Sequence, residues 1–414
     1  MNALKNRVFL LLFIGQLTSS LGDVLFKLAL FWYVQETTGS AVYLSWLGLF
    51  ITLPQFLSFF TGTLADHFQR TKIMFISDLV RCVLVLVLCI YLTIGSVSFM
   101  AIGVTVFFIS ILTNLFVPAS RALVGEILDE EELPSGNGLM DSTIRFSTII
   151  STMLGAILIS YFKETTVFLF NAFTFIVSMI TVIMMHKRIG HYQYLKDGYK
   201  SVSLHDWMAK CKEGLHFIRR FGFLKYTVPC GIVINIFFTI FLFLAPAWSE
   251  QVLDSGVFGF TLMEFALGFG MLCGSLSAGY FAKILNLNKG VAIAFGLQAI
   301  ILLFPFMHSL AFGCSILLLF GFGNGLSNSL SSTVLQRLVP NSMQGRVFGS
   351  LASILGGIVP LGTIISSFLL QQYGITLTYF IGSIAIAIGS FYLMIVFYKE
   401  VWKTNNKNEQ ELSV

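Results

Sequence analysis

Asp23 and Lys27 stand four residues apart inside an apolar run that begins at Val8. On a helix that spacing puts an acid and a base on one face, where each can neutralise the other. Asp23 then lies about 22 Å along the helix from Val8, slightly beyond the middle of a hydrocarbon layer about 30 Å thick. An ionisable side chain is expensive at that depth and faces a partner or a water-filled path. Two readings stand. Asp23 takes up and releases a proton, its affinity changing as the pair with Lys27 opens and closes; or the two form a permanent structural pair with Lys27 reaching outward. Glu264 poses the same question as an isolated acid in a run rich in glycine (Gly259, Gly268, Gly270, Gly274, Gly279). It either receives protons and attracts cations or is an interfacial charge that reaches water.

Two more acid–base pairs occur in apolar runs, Asp78 with Arg81 and Asp141 with Arg145, each near the start of its run. A polar stripe is visible where Asn324, Asn328 and Ser331 recur at helical spacing in an apolar segment. Such groups either face a polar ligand or hydrogen-bond between helices. The acidic run Asp129-Glu130-Glu131-Glu132 reads as a solvated turn ahead of a helix.

These residues must be positioned by elements that the composition already narrows. Of 414 residues, 56% are apolar and 11% charged, and the mean hydropathy is +0.85. Soluble chains carry about a quarter charged residues, so a water-soluble enzyme and a disordered chain are both excluded. Apolar runs fall at about 8–34, 41–64, 73–93, 98–120, 139–162, 165–186, 223–249, 257–282, 289–308, 310–335, 346–370 and 373–398, twelve in all. A helical span needs about 20 residues, and unpaired backbone cannot be left in hydrocarbon. The runs are therefore expected to be helices, and their continuous hydrophobicity argues against barrel strands, which alternate with period two. The fold class is an all-α membrane protein of twelve transmembrane helices.

Basic residues set the orientation. Lys5, Arg7, Arg70, Lys72, Arg121, Arg145, Lys283, Lys289, Arg337, Arg346 and Lys399 all fall on one side of a twelve-span layout, together with a basic cluster between Lys187 and Arg220. Basic loops stay in the cytoplasm, so both termini are expected there. The segment 187–222 divides six spans from six. Within it Leu204, Trp207, Met208, Cys211, Leu215 and Ile218 follow helical spacing among basic residues, as a helix lying on the inner leaflet would, or else the segment is a solvated linker. The expected organisation is a six-helix bundle over 1–186, the linker 187–222, a second six-helix bundle over 223–399 and a tail over 400–414. The halves echo one another: Gly62-Thr63-Leu64-Ala65-Asp66 ends the second run and Gly279-Tyr280-Phe281-Ala282-Lys283 ends the eighth, close to half the chain length apart. Six cysteines without metal-type spacing read as small buried hydrophobes, and no disulfide is expected.

The stretch Gly62-Thr63-Leu64-Ala65-Asp66-His67-Phe68-Gln69-Arg70-Thr71-Lys72 resembles the loop motif Gly-x-Leu-Ala-Asp-Arg-x-Gly-Arg-Arg/Lys of the major facilitator superfamily. It departs from that motif at His67 and Gln69. Further matches, among them Leu21-Gly22-Asp23, Ala29-Leu30-Phe31-Trp32-Tyr33-Val34, Ser77-Asp78-Leu79-Val80-Arg81 and Phe116-Val117-Pro118-Ala119-Ser120-Arg121, resemble the macrolide-efflux branch of drug-to-proton antiporters, which includes siderophore and peptide-antibiotic exporters. The resemblance implies two pseudo-symmetric bundles around a central cavity lined by the first, fourth, seventh and tenth helices. It also implies export driven by proton exchange in a bacterial plasma membrane. On it, Gly62, Asp66, Arg70, Asp78, Arg81, Asp141 and Arg145 become a cytoplasmic gate or latch. Asp23, Lys27 and Glu264 become proton-coupling candidates. Asn114, Asn235, Asn324, Asn328, Ser331 and Trp32 become cavity candidates, with Phe31, Trp46, Phe237, Phe238 and Trp248 as apolar walls.

The fifth run, Ser147 to Gly155, lacks the glycine–proline stretch that many antiporters of the superfamily carry there, and a comparable cluster, Gly356-Gly357 with Pro360 and Gly362, falls in the eleventh. Proton coupling is thus implied by kinship alone, and a uniporter or importer of a small metabolite remains the alternative. No phosphate-binding loop or His-Glu-x-x-His motif occurs, so the chain is read as a non-enzyme without cofactor or metal. Its expected partners are a small-molecule substrate, protons and the lipid bilayer, with no nucleic acid, and it is expected to be a monomer.

Overall fold

The computed structural model describes residues 3–57, 69–94, 98–129, 132–189, 222–339 and 341–411. Among them the chain is helical throughout and contains no strand. It divides into two compact units, Met1–Val202 and Ser203–Val414. The linker segment with its expected surface helix, the loop containing Gly62, Asp66 and His67, Glu130 and Glu131, and the side chains of Asp141, Arg337, Arg346 and the C-terminal tail lie outside the described residues.

In the first unit the helices are α1 (Arg7–Thr38), α2 (Ala41–Thr52), α3 (Arg70–Ile94), α4 (Phe99–Ile127), α5 (Leu133–Tyr161) and α6 (Glu164–Ile189). Asn6 fixes the start of α1: its side-chain oxygen accepts from the Val8 and Phe9 amides at 3.0 and 3.3 Å, satisfying donors that the first turn leaves open. Its amide nitrogen donates to the Ile127 carbonyl at 3.1 Å, so the same residue ties α1 to the end of α4. Gly39 ends α1 with φ 60°, a left-handed cap open to glycine. α2 passes into a 3-10 turn over Leu53–Leu57.

α1 packs on α5 and α6, and α3 packs on α4 and α6. Two serines in the proline-free part of α5 explain one of these contacts. Ser147 and Ser151 donate to the α1 carbonyls of Leu17 and Leu21 at 3.4 and 3.0 Å, an arrangement available to hydroxyls one helical turn apart. On the opposite face, Gly22 approaches α6 so closely that a Cβ there would meet Thr174 Oγ1 at 2.1 Å and Asn171 Oδ1 at 2.5 Å. α1 is thereby fixed on both sides of Asp23.

In the second unit the helices are α7 (Gly222–Phe243), α8 (Ala245–Gln251), α9 (Gly256–Leu285), α10 (Leu287–Gln298), α11 (Leu310–Leu338), α12 (Asn341–Gly357) and α13 (Val359–Glu411). α7 and α8 form one bent passage with a 49° break, placed where Pro246 cannot donate a backbone hydrogen bond to continue the α7 ladder. α10 continues as a 3-10 stretch over Ala299–Phe306, which contains Pro305. α13 is interrupted at Gly374, with φ 72° and ψ 178°, which separates the expected runs 346–370 and 373–398. Within this unit α7 packs on α13, and α10 packs on α11 and α13, the same pairing that α1 makes with α6 and α3 with α4 and α6.

The closest packing in the second unit joins α9 to α11 through reciprocal glycines. A Cβ at Gly270 or Gly274 would meet the backbone oxygen of Leu318 or Phe322 at 2.2 or 2.0 Å; at Gly321 or Gly325 it would meet that of Leu267 or Met271 at 2.3 or 2.0 Å. In lipid, where no hydrophobic force drives helices together, such close backbone approach is what stabilises a helix pair.

Nine helices among the described residues are long and apolar enough to cross a membrane, or ten when the α7–α8 pair counts as one span. The five cysteines among them are free.

Candidate functional site

Asp23, Asp78 and Arg81, which the sequence analysis assigns to two separate locations, come together in the structure. Arg81 Nη1 donates to Asp23 Oδ2 at 3.2 Å, and Nη2 pairs with Asp78 Oδ1. Asp78 also accepts from Ser178 Oγ at 2.6 Å, and Thr113 Oγ1 lies 3.4 Å from Arg81 Nη1. The guanidinium carbon sits over the rings of Phe175 and Phe116, 4.5 and 4.9 Å from their centroids, a favourable place for a cation. Four helices contribute: α1 gives Asp23, α3 gives Asp78 and Arg81, α4 gives Thr113 and Phe116, and α6 gives Phe175 and Ser178.

Arg81 and Asp78 are enclosed, at 1% and 0% side-chain exposure, whereas Asp23 keeps 20%. Asp78 and Arg81, expected beside Arg70 in a latch, have Asp23 and Ser178 as their partners. Arg81 lies eleven residues along α3 from Arg70, about 16 Å at the helical rise. Helical spacing makes Lys27 the candidate partner of Asp23. Lys27 is exposed, and the ion pair that Asp23 forms is with Arg81 on another helix. Two carboxylates and one guanidinium carry a net charge of −1, so a single proton makes the cluster neutral. Of the two carboxylates, Asp23 is the one with side-chain exposure.

Arg70, another described member of the expected latch, pairs with Glu126 at 2.7 Å and donates to the Ala122 carbonyl at 2.7 Å. It binds the start of α3 to the end of α4. Spacing along the chain does not single out Glu126, because only the fold brings the two helix ends together. Arg145 is exposed on α5.

In the second unit Glu264 is half-buried on α9, within electrostatic reach of the Tyr379 phenol on α13. Tyr379 belongs to an aromatic cluster with Trp248, Phe241 and Phe304, at centroid distances of 4.4, 5.0 and 5.3 Å. Trp248 is wholly enclosed in that cluster, so the expectation that it walls a cavity gives way to a core role.

The polar stripe on α11 divides between two faces. Asn328 Nδ2 donates to Asn324 Oδ1 at 2.9 Å on the open face, whereas Ser327 points inward and accepts from the buried Gln298 at 2.8 Å. Ser331 Oγ is buried with no hydrogen-bond partner among the described residues. Asn235 donates to the carbonyl of Gly231 at 2.9 Å on its own helix. Asn114 is half-buried on α4 and Trp32 buried on α1. No cluster of three or more metal-ligating side chains occurs among the described residues.

Long apolar helices in two units mark a multi-pass membrane protein, and its sequence match makes it a transporter of the major facilitator superfamily. Within it, the chain belongs to the transmembrane secretion effector family, whose model matches residues 1–413. It is 24% identical over 374 residues to macrolide efflux protein A of Streptococcus pyogenes, covering 89% of this chain and 90% of that protein. It is 23% identical over 362 residues to the putative bacilysin exporter BacE of Bacillus subtilis (strain 168), covering 87% of each. Identity to the staphyloferrin A transporter of Staphylococcus aureus is 21% over 391 residues, covering 91% of this chain and 92% of that one. Among solved structures, a bacterial homologue of the iron transporter ferroportin in an inward-facing state superposes with a TM-score of 0.74 at 14% identity, covering 94% of this chain and 98% of that one. A crystal structure of the peptide transporter POT in complex with sulfate gives 0.71 at 11% identity, covering 95% of each. These likenesses show the fold. The family and these relatives are transporters, not enzymes.

Proposed function

We propose that this protein is a secondary active exporter of twelve transmembrane helices that expels amphipathic small molecules in exchange for protons, by alternating access. The observation that carries the proposal is Arg81 held between two carboxylates on different helices, one of them partly exposed. Protonation of Asp23 removes one of the two counter-ions of Arg81 and weakens the α1–α3 link, while the Asp78–Arg81–Ser178 group still binds α3 to α6. A proton is thus converted into a change in helix packing. Export as the direction, and amphipathic antibiotics or siderophores as the cargo, rest on what the efflux and exporter relatives carry. The proposed setting is a bacterial plasma membrane with both termini in the cytoplasm and the chain acting as a monomer. Within this scheme Glu264 is a second proton-accepting or cation-attracting group, and Asn114, Asn324 and Asn328 meet cargo.

Everted membrane vesicles containing the protein, made acid inside, test the proposal with a macrolide, bacilysin and staphyloferrin A as cargo. Gradient-driven accumulation of at least one of them is the expected result. Flux that is indifferent to the pH gradient replaces the exchanger with a uniporter.

A further inference from the structure

A groove of about 310 Å³ runs between α3 and α6 on the first unit, and its lining contains no carboxylate among the described residues. Its wall is formed by Phe75, Ile76, Val182 and Ile183, and at one end stand Lys72, Lys187 and His186. Lys72 is in the first turn of α3 and Lys187 in the last turn of α6, so both ammonium groups fall where helices leave the hydrocarbon, the level of lipid phosphates. The apolar wall begins one turn deeper, at the level of acyl chains. Ile76 and Ile183 are 54% and 42% exposed, so the wall is open along its length.

His186 is oriented for a ligand. Thr71 Oγ1 lies 3.0 Å from its Nδ1 and the Gln69 amide nitrogen 3.5 Å from the same atom. A ring whose Nδ1 accepts from these two groups carries its proton on Nε2 and can donate it to a ligand.

We propose that this groove is a site for one anionic glycerophospholipid, its phosphate held by Lys72, Lys187 and the His186 Nε2–H and one acyl chain lying along Phe75, Ile76, Val182 and Ile183. The charge selects the lipid: basic pockets between membrane helices at the level of the head groups bind anionic lipids, and the described lining of the groove offers a zwitterionic lipid no acid to meet its cation. The inference holds whether or not transport is coupled to protons. A lipid lodged there bridges the start of α3 and the end of α6, the two helices that hold Arg81, Asp78 and Ser178.

The test is native mass spectrometry of the full-length protein released from detergent micelles containing equal amounts of phosphatidylglycerol and phosphatidylcholine. The wild type is expected to retain one phosphatidylglycerol in preference. The double variant Lys72→Gln/Lys187→Gln should bind it about thirtyfold more weakly, and Lys72→Arg/Lys187→Arg should keep it. Ile183→Trp, which fills the apolar wall and leaves the lysines in place, should lose it as well, with circular dichroism confirming the helical fold of each variant. Equal retention of the two lipids, wild-type retention by the double glutamine variant, or displacement of the lipid by equimolar glycerol phosphate would each overturn the proposal.

Discussion

The carboxylate of Asp23 and the guanidinium of Arg81 meet at 3.2 Å although 58 positions separate them in the chain. Asp23 is the more exposed end of this contact and Arg81 the enclosed one, so the pair connects an accessible acid to a buried cation. Replacing Asp23 by Asn keeps the size and removes the titrating group. The variant is expected to fold with a thermal midpoint near that of the wild type and to lose gradient-driven transport in vesicles. Wild-type dependence on the pH gradient in Asp23→Asn would move the coupling role to another acid.

Asp78 has a different task. It is fully enclosed and paired with both Arg81 and Ser178, so Asp78→Asn leaves Arg81 underpaired in the interior. Removing one partner of a buried pair costs about 3–5 kcal/mol. The expected outcome is a marked fall in thermal midpoint and in yield of monodisperse protein, measured by fluorescence-detected gel filtration.

The glycines of α9 should respond according to what faces them. At Gly274 a Cβ would fall 2.0 Å from the Phe322 carbonyl oxygen, whereas at Gly279 nothing lies within 4 Å. Gly274→Ala must push two backbones apart and is expected to destabilise by about 1–3 kcal/mol. Gly279→Ala should leave the thermal midpoint unchanged or slightly raised. Equal behaviour of the two variants would contradict the helix contact described above.

On α11, Ser327 and Asn328 are adjacent yet should separate stability from transport. Ser327→Ala removes the nearer of two acceptors of the enclosed Gln298 amide, leaving the Gly323 carbonyl at 3.5 Å, and is expected to cost about 1–2 kcal/mol. Asn328→Ala, on the open face, should spare stability and change the relative transport of the three cargo compounds.

Much of the fold is legible in the sequence because burial in lipid leaves few options: continuous apolar runs must be helices, and the helical runs of the structure fall where hydropathy puts them. The breaks are unevenly legible. Gly374 lies beside the gap already expected between the runs ending at 370 and beginning at 373, whereas the bend before Pro246 and the break between Gly357 and Val359 fall inside single apolar runs, since a local backbone change leaves no gap in an apolar profile. The site is half-legible. Asp23, Asp78 and Arg81 all stand out as charges in apolar runs, but spacing along one helix can pair Asp23 only with Lys27. The partner that the structure supplies comes from a helix whose proximity depends on Gly22, Ser147 and Ser151 setting how closely α1 approaches its neighbours. Glu126 stays hidden as the partner of Arg70 for the same reason.

The interlocked glycines of α9 and α11 also govern what can move. With carbonyls of each rod seated in notches of the other, neither can slip lengthwise or roll without lifting clear, so the two travel as a splint. Any flexing of the second unit is thereby pushed to its weak joints, the elbow before Pro246 and the swivel at Gly374. Stiffening either joint should slow turnover while leaving the affinity for cargo intact.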